Sequence, residues 1–545
     1  MRPSAGANQS PYFVGHNAYT SDPVLVNLTQ GAGQGAVNAL AAHGQWVGSV
    51  EAYELARLAN RDAPRLVTYD PKGERVDRVE FHPAYHALMR HSVDIGLHCS
   101  IWDEGEKERG NRNLLRAARF MMSSGTEAGH LCPITMTNAS IAALMASPNH
   151  LKEWLPRVRA RQYDSSNRPA QGKKSVTLGM GMTERQGGTD VRTNTTKAER
   201  LSDGLWRING QKWFFSAPMC DAFLVLAQTA SGLSCFLLPR ILPDGSLNGL
   251  QLQRLKDKLG NRSNASSEVH FVNALGQLVG EEGKGIATIL EMVTLTRLDC
   301  ASGSAGLIRA AVAEAVFHAR HRKAFGKRLI DQPLMVRVLA DLSLEALGTS
   351  VLTMRLARSF DRASLDQREG AFVRLMTPAV KYLVCKTAPP SIYEAMECLG
   401  GNGYIEDGNL PRLYREAPVN AIWEGSGNVM CLDVLRVIGR NPKILDHGLD
   451  LLVEDLKPAT RQIADVLRAA ATAAQMDEGS ARILTEQLAL TAAAAEIHRL
   501  YPGPLADAYL ESRLGRPWRA TYGMLDQRYN ARQIVDFCFP DQLAR

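Results

Sequence analysis

A chain of 545 residues is longer than one hydrophobic core can organise, and at about 100 to 200 residues per domain it should divide into three or four. Its 45% hydrophobic and 22% charged residues sit near globular averages, which excludes a mainly disordered chain, and no run approaches the roughly 18 apolar residues of a membrane helix. The net charge of +7 permits an anionic partner such as nucleic acid or coenzyme A and selects none.

Through residues 1–174 apolar side chains recur at helical spacing, as in Leu114, Leu115, Ala118 and Met122, which predicts an α-helical domain. From 175 to 282 the pattern shortens to runs such as Phe223-Leu224-Val225-Leu226 and Phe236-Leu237-Leu238, a β domain. Within it Asn209-Gly210, between LWRI and QKWFF, predicts a two-residue hairpin turn, because both residues tolerate positive φ. From 283 to 440 the helical period returns, with Ile286, Ile289 and Val293 on one face and Met335, Val338 and Leu342 on another helix. Asn441-Pro442 is a break, and Ala-rich sequence makes 441–545 an additional helical domain. The predicted class is α+β multidomain: helices, strands, helices, more helices.

Nine scattered cysteines form no C-x-x-C pair, which suits reduced, buried thiols better than a disulfide frame or a metal site. The opening MRPSAGANQSPYFVGHNAYT has no apolar stretch of signal type, so a cytoplasmic location is expected. Gly31-Ala32-Gly33-Gln34-Gly35-Ala36 fits G-x-G-x-x-A but no strand precedes it, and His82 and His86 lack a third ligand at metal spacing.

Two segments of the β domain carry chemistry. Met182-Thr183-Glu184-Arg185-Gln186-Gly187-Gly188-Thr189-Asp190 joins hydroxyls to a glycine pair, so main-chain N–H groups and a Thr hydroxyl can approach flavin or phosphate oxygens, although an ordinary turn reads the same way. Lys212-Trp213-Phe214-Phe215-Ser216 sets aromatic bulk beside a hydroxyl, which suits the wall of a flat-ring site or a core. These segments resemble the M-T-E-x-x-x-G-S-D loop and the K-x-W-I-T strand of acyl-CoA dehydrogenases. Downstream, Arg322-Lys323-Ala324-Phe325-Gly326-Lys327 with Gln332 resembles the R-x-x-F-G segment of that family. Leu399 to Tyr404, then Arg415-Glu416 and Ile422-Trp423-Glu424-Gly425-Ser426-Gly427-Asn428, are similar to G-G-x-G-[YF] followed by I-Y-E-G-T-x-Q. Four matches in order make the resemblance specific.

The resemblance covers roughly residues 20 to 440 and implies a helix, β-barrel, helix fold, FAD as cofactor, acyl-CoA as substrate and a homotetramer. It assigns Met182, Thr183, Gly188 and Thr189 to FAD, and Phe214, Phe215 and Ser216 to the isoalloxazine. Gly401, Trp423, Gly425, Ser426 and Asn428 extend the cofactor contacts, and Arg322, Phe325 and Gln332 reach the dinucleotide of a neighbouring subunit, where a guanidinium fork suits pyrophosphate oxygens. Glu424 stands where the family carries its base, a carboxylate that takes an α-proton from the acyl thioester while hydride leaves the β-carbon for the flavin.

Two departures modify the expectation. Trp423 replaces a smaller Tyr and narrows an acyl pocket, and Glu397 replaces a Gln expected near the pyrophosphate. The segments Lys256 to Ala265 and Leu131 to Thr137, with the extra C-terminal domain, resemble the AidB-type branch of the family, flavoproteins of the bacterial adaptive response to DNA alkylation. That likeness implies double-stranded DNA binding and weak dehydrogenase activity toward short branched acyl-CoA; the alternative is a metabolic acyl-CoA dehydrogenase for such substrates. Arg513, Arg516, Arg519, Arg528 and Arg532 face one acid, Asp526, among aromatic residues and are the candidate phosphate contacts, with Arg436 as a link to the flavin segment. Residues 441–545 nevertheless hold 12 Lys plus Arg against 14 Asp plus Glu, a net −2, so any basic surface is local.

Overall fold

The structure, a computed structural model, describes residues 8–541 apart from 104, 106–109, 458–459 and 516–520. Two compact units make up the chain: one of Met1–Tyr53, Glu108–Thr126 and Arg297–Arg545, the other of Glu54–Lys107 and Glu127–Thr296.

In the second unit the short apolar runs become seven strands: β1 (Leu178–Gly181), β2 (Lys197–Arg200), β3 (Trp206–Ser216), β4 (Ala222–Thr229), β5 (Gly232–Pro239), β6 (Leu250–Leu255) and β7 (Ser266–Val279). Their order is β1-β4-β2-β3-β7-β5, with β6 on β7, and pairing of β4 with β5 closes a small barrel. Six consecutive residues of β4 are buried because both of its faces are covered. Phe223 packs 4.3 Å from Phe215 inside the barrel, whereas Ala222, Leu224 and Leu226 join a core with helices Leu131–Leu144 and Pro148–Val158.

The expected hairpin at Asn209-Gly210 is absent. Both residues lie inside β3, at a register shift between Ile208 and Gly210 where the strand pairs with β7. Gly210 has φ +149°, and a Cβ there would lie 2.5 Å from Thr196 Oγ1, so glycine is needed for close approach of a neighbouring segment. Asn209 Oδ1 accepts from the Asn273 main-chain N–H at 2.8 Å, which ties the irregularity to β7. The chain reverses instead at Asp203-Gly204, where the Leu201 N–H donates to the Leu205 carbonyl at 2.8 Å.

The first unit is helical: α1 (Arg112–Thr126), α2 (Gly285–His321, from Arg297 onward), α3 (Pro333–Arg362), α4 (Gln367–Cys398), α5 (Leu410–Asn420), α6 (Gly427–Arg440), α7 (Lys443–Asp455), α8 (Ile463–Met476), α9 (Ala481–Leu500), α10 (Pro504–Arg513) and α11 (Ala531–Cys538). α2 is long and apolar enough to cross a membrane, but 83% of its apolar window is buried, as in a core helix. One hydrophobic core runs from Tyr19 through Leu347, Phe372 and Leu488 to Phe539, so the helices after residue 440 share it with those before. Gly348 permits α3 and α10 to approach closely: a Cβ there would lie 2.4 Å from the Tyr509 ring of α10.

Candidate active site

The 182–190 loop of the second unit is organised around a buried carboxylate. Glu184 accepts hydrogen bonds from Lys212 Nζ at 2.8 Å, the Thr195 N–H at 2.6 Å, the Thr196 N–H at 3.1 Å, Thr195 Oγ1 at 2.9 Å and Gln186 Nε2 at 2.9 Å. Burial alone would raise its pKa, but donation from Gln186 and the Lys212 charge hold the carboxyl down at about 2. Lys212 is equally buried and also donates to the Leu226 carbonyl at 2.8 Å; burial brings its pKa to about 8 against the pull of Glu184. Around the buried Glu184, Thr183 and Gly188 are half-buried, Thr189 is exposed, and Met182 is half-buried against the hydrophobic core. A Cβ on Gly188 would lie 2.3 Å from Thr183 Oγ1, so only glycine lets the loop close over that hydroxyl.

A register shift in β3 between Lys212 and Phe215 sorts the aromatic residues. Trp213 and Phe214 both turn outward, Phe214 to 56% exposure, while Phe215 is 0% exposed against Phe223 and Phe271. Phe215 is therefore a barrel-core residue, which corrects its expected place against a flavin; Phe214 and Ser216 remain on the open face. Lys256 Nζ lies 3.5 Å from the Trp213 ring centroid, with the Arg185 guanidinium at 5.6 Å.

In the first unit, the segment between α5 and α6 holds Glu424 at φ +57°, a conformation that side-chain-bearing residues rarely adopt. Its backbone is fixed from both sides. Arg297 Nε donates to the Glu424 carbonyl at 3.0 Å while its Nη2 pairs with Asp433 at 2.8 Å. Lys381, 1% exposed, donates to the carbonyls of Asn420 at 2.9 Å and Gly425 at 2.8 Å. Gly425 follows at φ +103°, where a Cβ would meet Met430 Cε at 2.5 Å. Trp423 Nε1 donates to Asn420 Oδ1 at 3.0 Å, which orients the indole beside the Glu. Ser426 and Asn428 are exposed at the start of α6, and Arg482 of α9 donates to Asn428 Oδ1 at 2.9 Å.

A Ser-His-carboxylate chain also occurs in the second unit: His130 contacts Ser92 Oγ at 2.8 Å and Glu127 Oε2 at 2.6 Å. All three residues are 1–2% exposed, so this serine offers no surface to a substrate, and the chain is a structural staple.

Residues 179–274 and 283–439 match the middle and C-terminal domains of acyl-CoA dehydrogenases, and residues 8–165 match the adaptive response protein AidB N-terminal domain. The chain is 47% identical over 507 residues to AidB of Escherichia coli (strain K12), covering 91% of this chain and 92% of that one. It belongs to the acyl-CoA dehydrogenase family.

Among solved structures, Caenorhabditis elegans ACDH-11 in complex with C11-CoA superposes with TM-score 0.82 at 27% identity, covering 100% of this chain and 94% of that chain. An acyl-CoA dehydrogenase of Bacillus anthracis complexed with FAD gives TM-score 0.62 at 16% identity, covering 84% and 80% of the two chains. Family membership makes the chain an FAD-dependent oxidoreductase of acyl-CoA dehydrogenase type. The residues present fit that cofactor: an exposed aromatic face at Phe214, an open hydroxyl at Ser216 and a glycine-closed loop at Thr183 are what a flat, acceptor-rich ring requires.

The other expected contacts separate into several environments. Phe325 is 98% exposed at φ +50° on the tip of the hairpin pairing Lys323–Ala324 with Lys327–Arg328, and Gln332 Nε2 steadies that hairpin by donating to the Ala324 carbonyl at 2.9 Å. Arg322 donates to the Asn8 carbonyl. Gly401 and Glu397 are exposed. Among the arginines expected at DNA, Arg513 is corrected: its side chain is 6% exposed and pairs with Asp341 at 2.8 Å and Glu345 at 3.1 Å, which keeps it from a phosphate. Arg528 pairs with Glu511 at 2.7 Å, Arg532 with Asp536 at 2.7 Å and Asp331 at 3.1 Å, and Arg436 with Asp433 at 2.7 Å, all with exposed side chains. Arg516 and Arg519 lie outside the described residues.

The Glu184–Lys212 pair is not among the residues that the sequence motifs assign, although both stand in the two β-domain segments that carry the resemblance. The available signal was a charged residue at an inward strand position, which needs an opposite charge to be tolerated there.

Proposed function

We propose that this protein oxidises a short or branched acyl-CoA thioester at its α,β-bond, with Glu424 as the base. The carboxylate takes the α-proton, the β C–H bond gives hydride, and the C–H electrons left at the α-carbon form the double bond of an enoyl thioester. Bound FAD supplies the two-electron acceptor. The observation that carries the reading is the Glu424 backbone, held at φ +57° by Arg297 and Lys381 while its side chain stays accessible. Such a backbone costs about 1–3 kcal/mol and persists where surrounding groups over-determine it, as in a positioned catalytic side chain. Trp423, anchored on Asn420, supports the short-chain preference because a fixed indole takes volume from an acyl tail. Anaerobic mixing with isobutyryl-CoA tests the assignment. Glu424→Gln is expected to retain bound, yellow FAD and lose at least about 100-fold in the rate of flavin bleaching; an undiminished rate removes Glu424 from the role.

A second activity, association with double-stranded DNA in the adaptive response to alkylation, is supported by similarity to AidB over 91% of the chain. Of its candidate contacts among the described residues, Arg436, Arg528 and Arg532 would have to exchange carboxylate partners for phosphates. Duplex titration at several salt concentrations decides it: affinity falling steeply with salt supports binding, and negligible affinity at low salt rejects it.

A further inference from the structure

Behind the open face of β3 lies a three-membered hydrogen-bonded chain. Lys258 Nζ donates to Ser266 Oγ at 3.1 Å and to the Asn264 carbonyl at 2.6 Å. Ser266 Oγ in turn lies 3.0 Å from Ser216 Oγ, its cross-strand neighbour on β7. Neither hydroxyl has another hydrogen-bonded partner among the described residues. The direction of the chain follows from what each group can do. An ammonium has only donors, so Ser266 Oγ accepts from Lys258. Ser266 is 6% exposed, and its own proton has one acceptor in reach, Ser216 Oγ; pointed elsewhere it would be buried without a partner. Ser216 therefore accepts from Ser266, and its proton is turned outward to the face it shares with Phe214. Lys258 is half-buried and also lines a cavity of about 210 Å³ together with Asn60, Arg61 and Arg262.

We propose that Lys258 and Ser266 are positioning residues that fix the Ser216 hydroxyl as a hydrogen-bond donor toward the flavin. This rests on the flavin assignment of Ser216 and extends it to two residues that touch no cofactor themselves. Without the lysine, Ser266 could accept from Ser216 instead, and the outward donor would become an acceptor half of the time or more.

The test is a binding cycle on apoprotein titrated with FAD, read by quenching of flavin fluorescence. Ser266→Ala is expected to weaken FAD binding about tenfold in the wild-type background and less than about twofold in a Ser216→Ala background, since the residue acts only through that hydroxyl. Lys258→Met should reproduce the same pattern, and Lys258→Arg, which keeps a charged donor, should restore most of the affinity. A general structural role predicts equal losses in both backgrounds, and that result overturns the proposal. Should Ser266→Ala unfold the barrel, Lys258→Met completes the same cycle from the other end. A wild-type protein that takes up no FAD sinks the flavin assignment and this proposal with it; binding with an additive cycle sinks this proposal alone.

Discussion

Glu184 in the barrel unit and Glu314 in the helical unit are both carboxyls withdrawn from bulk water, and they are solved in opposite ways. Glu184 is ringed by an ammonium, two main-chain N–H groups, a hydroxyl and an amide, and stays ionised with its carboxyl near 2. Glu314 opens onto a cavity of about 100 Å³ whose wall combines apolar residues such as Phe13, Leu25, Met121 and Met122 with polar ones such as His16, Arg309 and Arg412, and it has no hydrogen-bond partner among the described residues. Burial pushes it up to about 7, and the charge of Arg412 offsets only part of that. The same functional group is a staple in one place and a half-protonated acid in the other, because donors, and not depth alone, decide its charge.

The largest expected effect comes from removing one half of the satisfied pair. Lys212→Met leaves Glu184 ionised and buried without its cation, a change that costs about 3–5 kcal/mol. Urea unfolding followed by near-UV signal measures it, and the loop carrying Thr183 and Gly188 should lose FAD affinity in parallel. Replacing both partners, Glu184→Gln with Lys212→Met, should recover more than half of the lost stability. A single-variant loss below about 1 kcal/mol would place the pair with ordinary surface bridges and erase the contrast with Glu314.

How far the sequence foretold these sites depends on whether the deciding contact was local. The segment order, the helical and strand periods, and the break at Asn441-Pro442 are local, and the structure has α6 ending at Arg440 and α7 starting at Lys443. Non-local facts escaped. Strict alternation along Lys212-Trp213-Phe214-Phe215-Ser216 cannot describe a strand whose register shifts, so Phe215 was grouped with Phe214 although only one of them faces outward. Asn209-Gly210 carries a hairpin signature, but Thr196 from another segment occupies the space that makes glycine necessary. Arg513 sits in an arginine-rich stretch, yet its acids, Asp341 and Glu345, come from α3, Asp341 lying 172 residues away in sequence, where no local pattern points to them.

The smaller effect sharpens the comparison from the other side. Because Glu314 titrates near 7 in the folded protein and at 4.5 when free, the native state binds more protons than the unfolded state between those values. Stability contributed by the protonated acid is therefore complete below pH 4.5, falls as pH rises through the window, and is gone above about 7. Glu314→Gln keeps the shape and removes the ionisation, so it should leave stability nearly unchanged at pH 4.5 and raise it by about 3 kcal/mol at pH 8. Denaturant midpoints of the two proteins at both pH values provide the measurement. Equal midpoints at pH 8 would mean that the carboxylate finds donors after all, most simply through water in the cavity, and that Glu314 is satisfied much as Glu184 is.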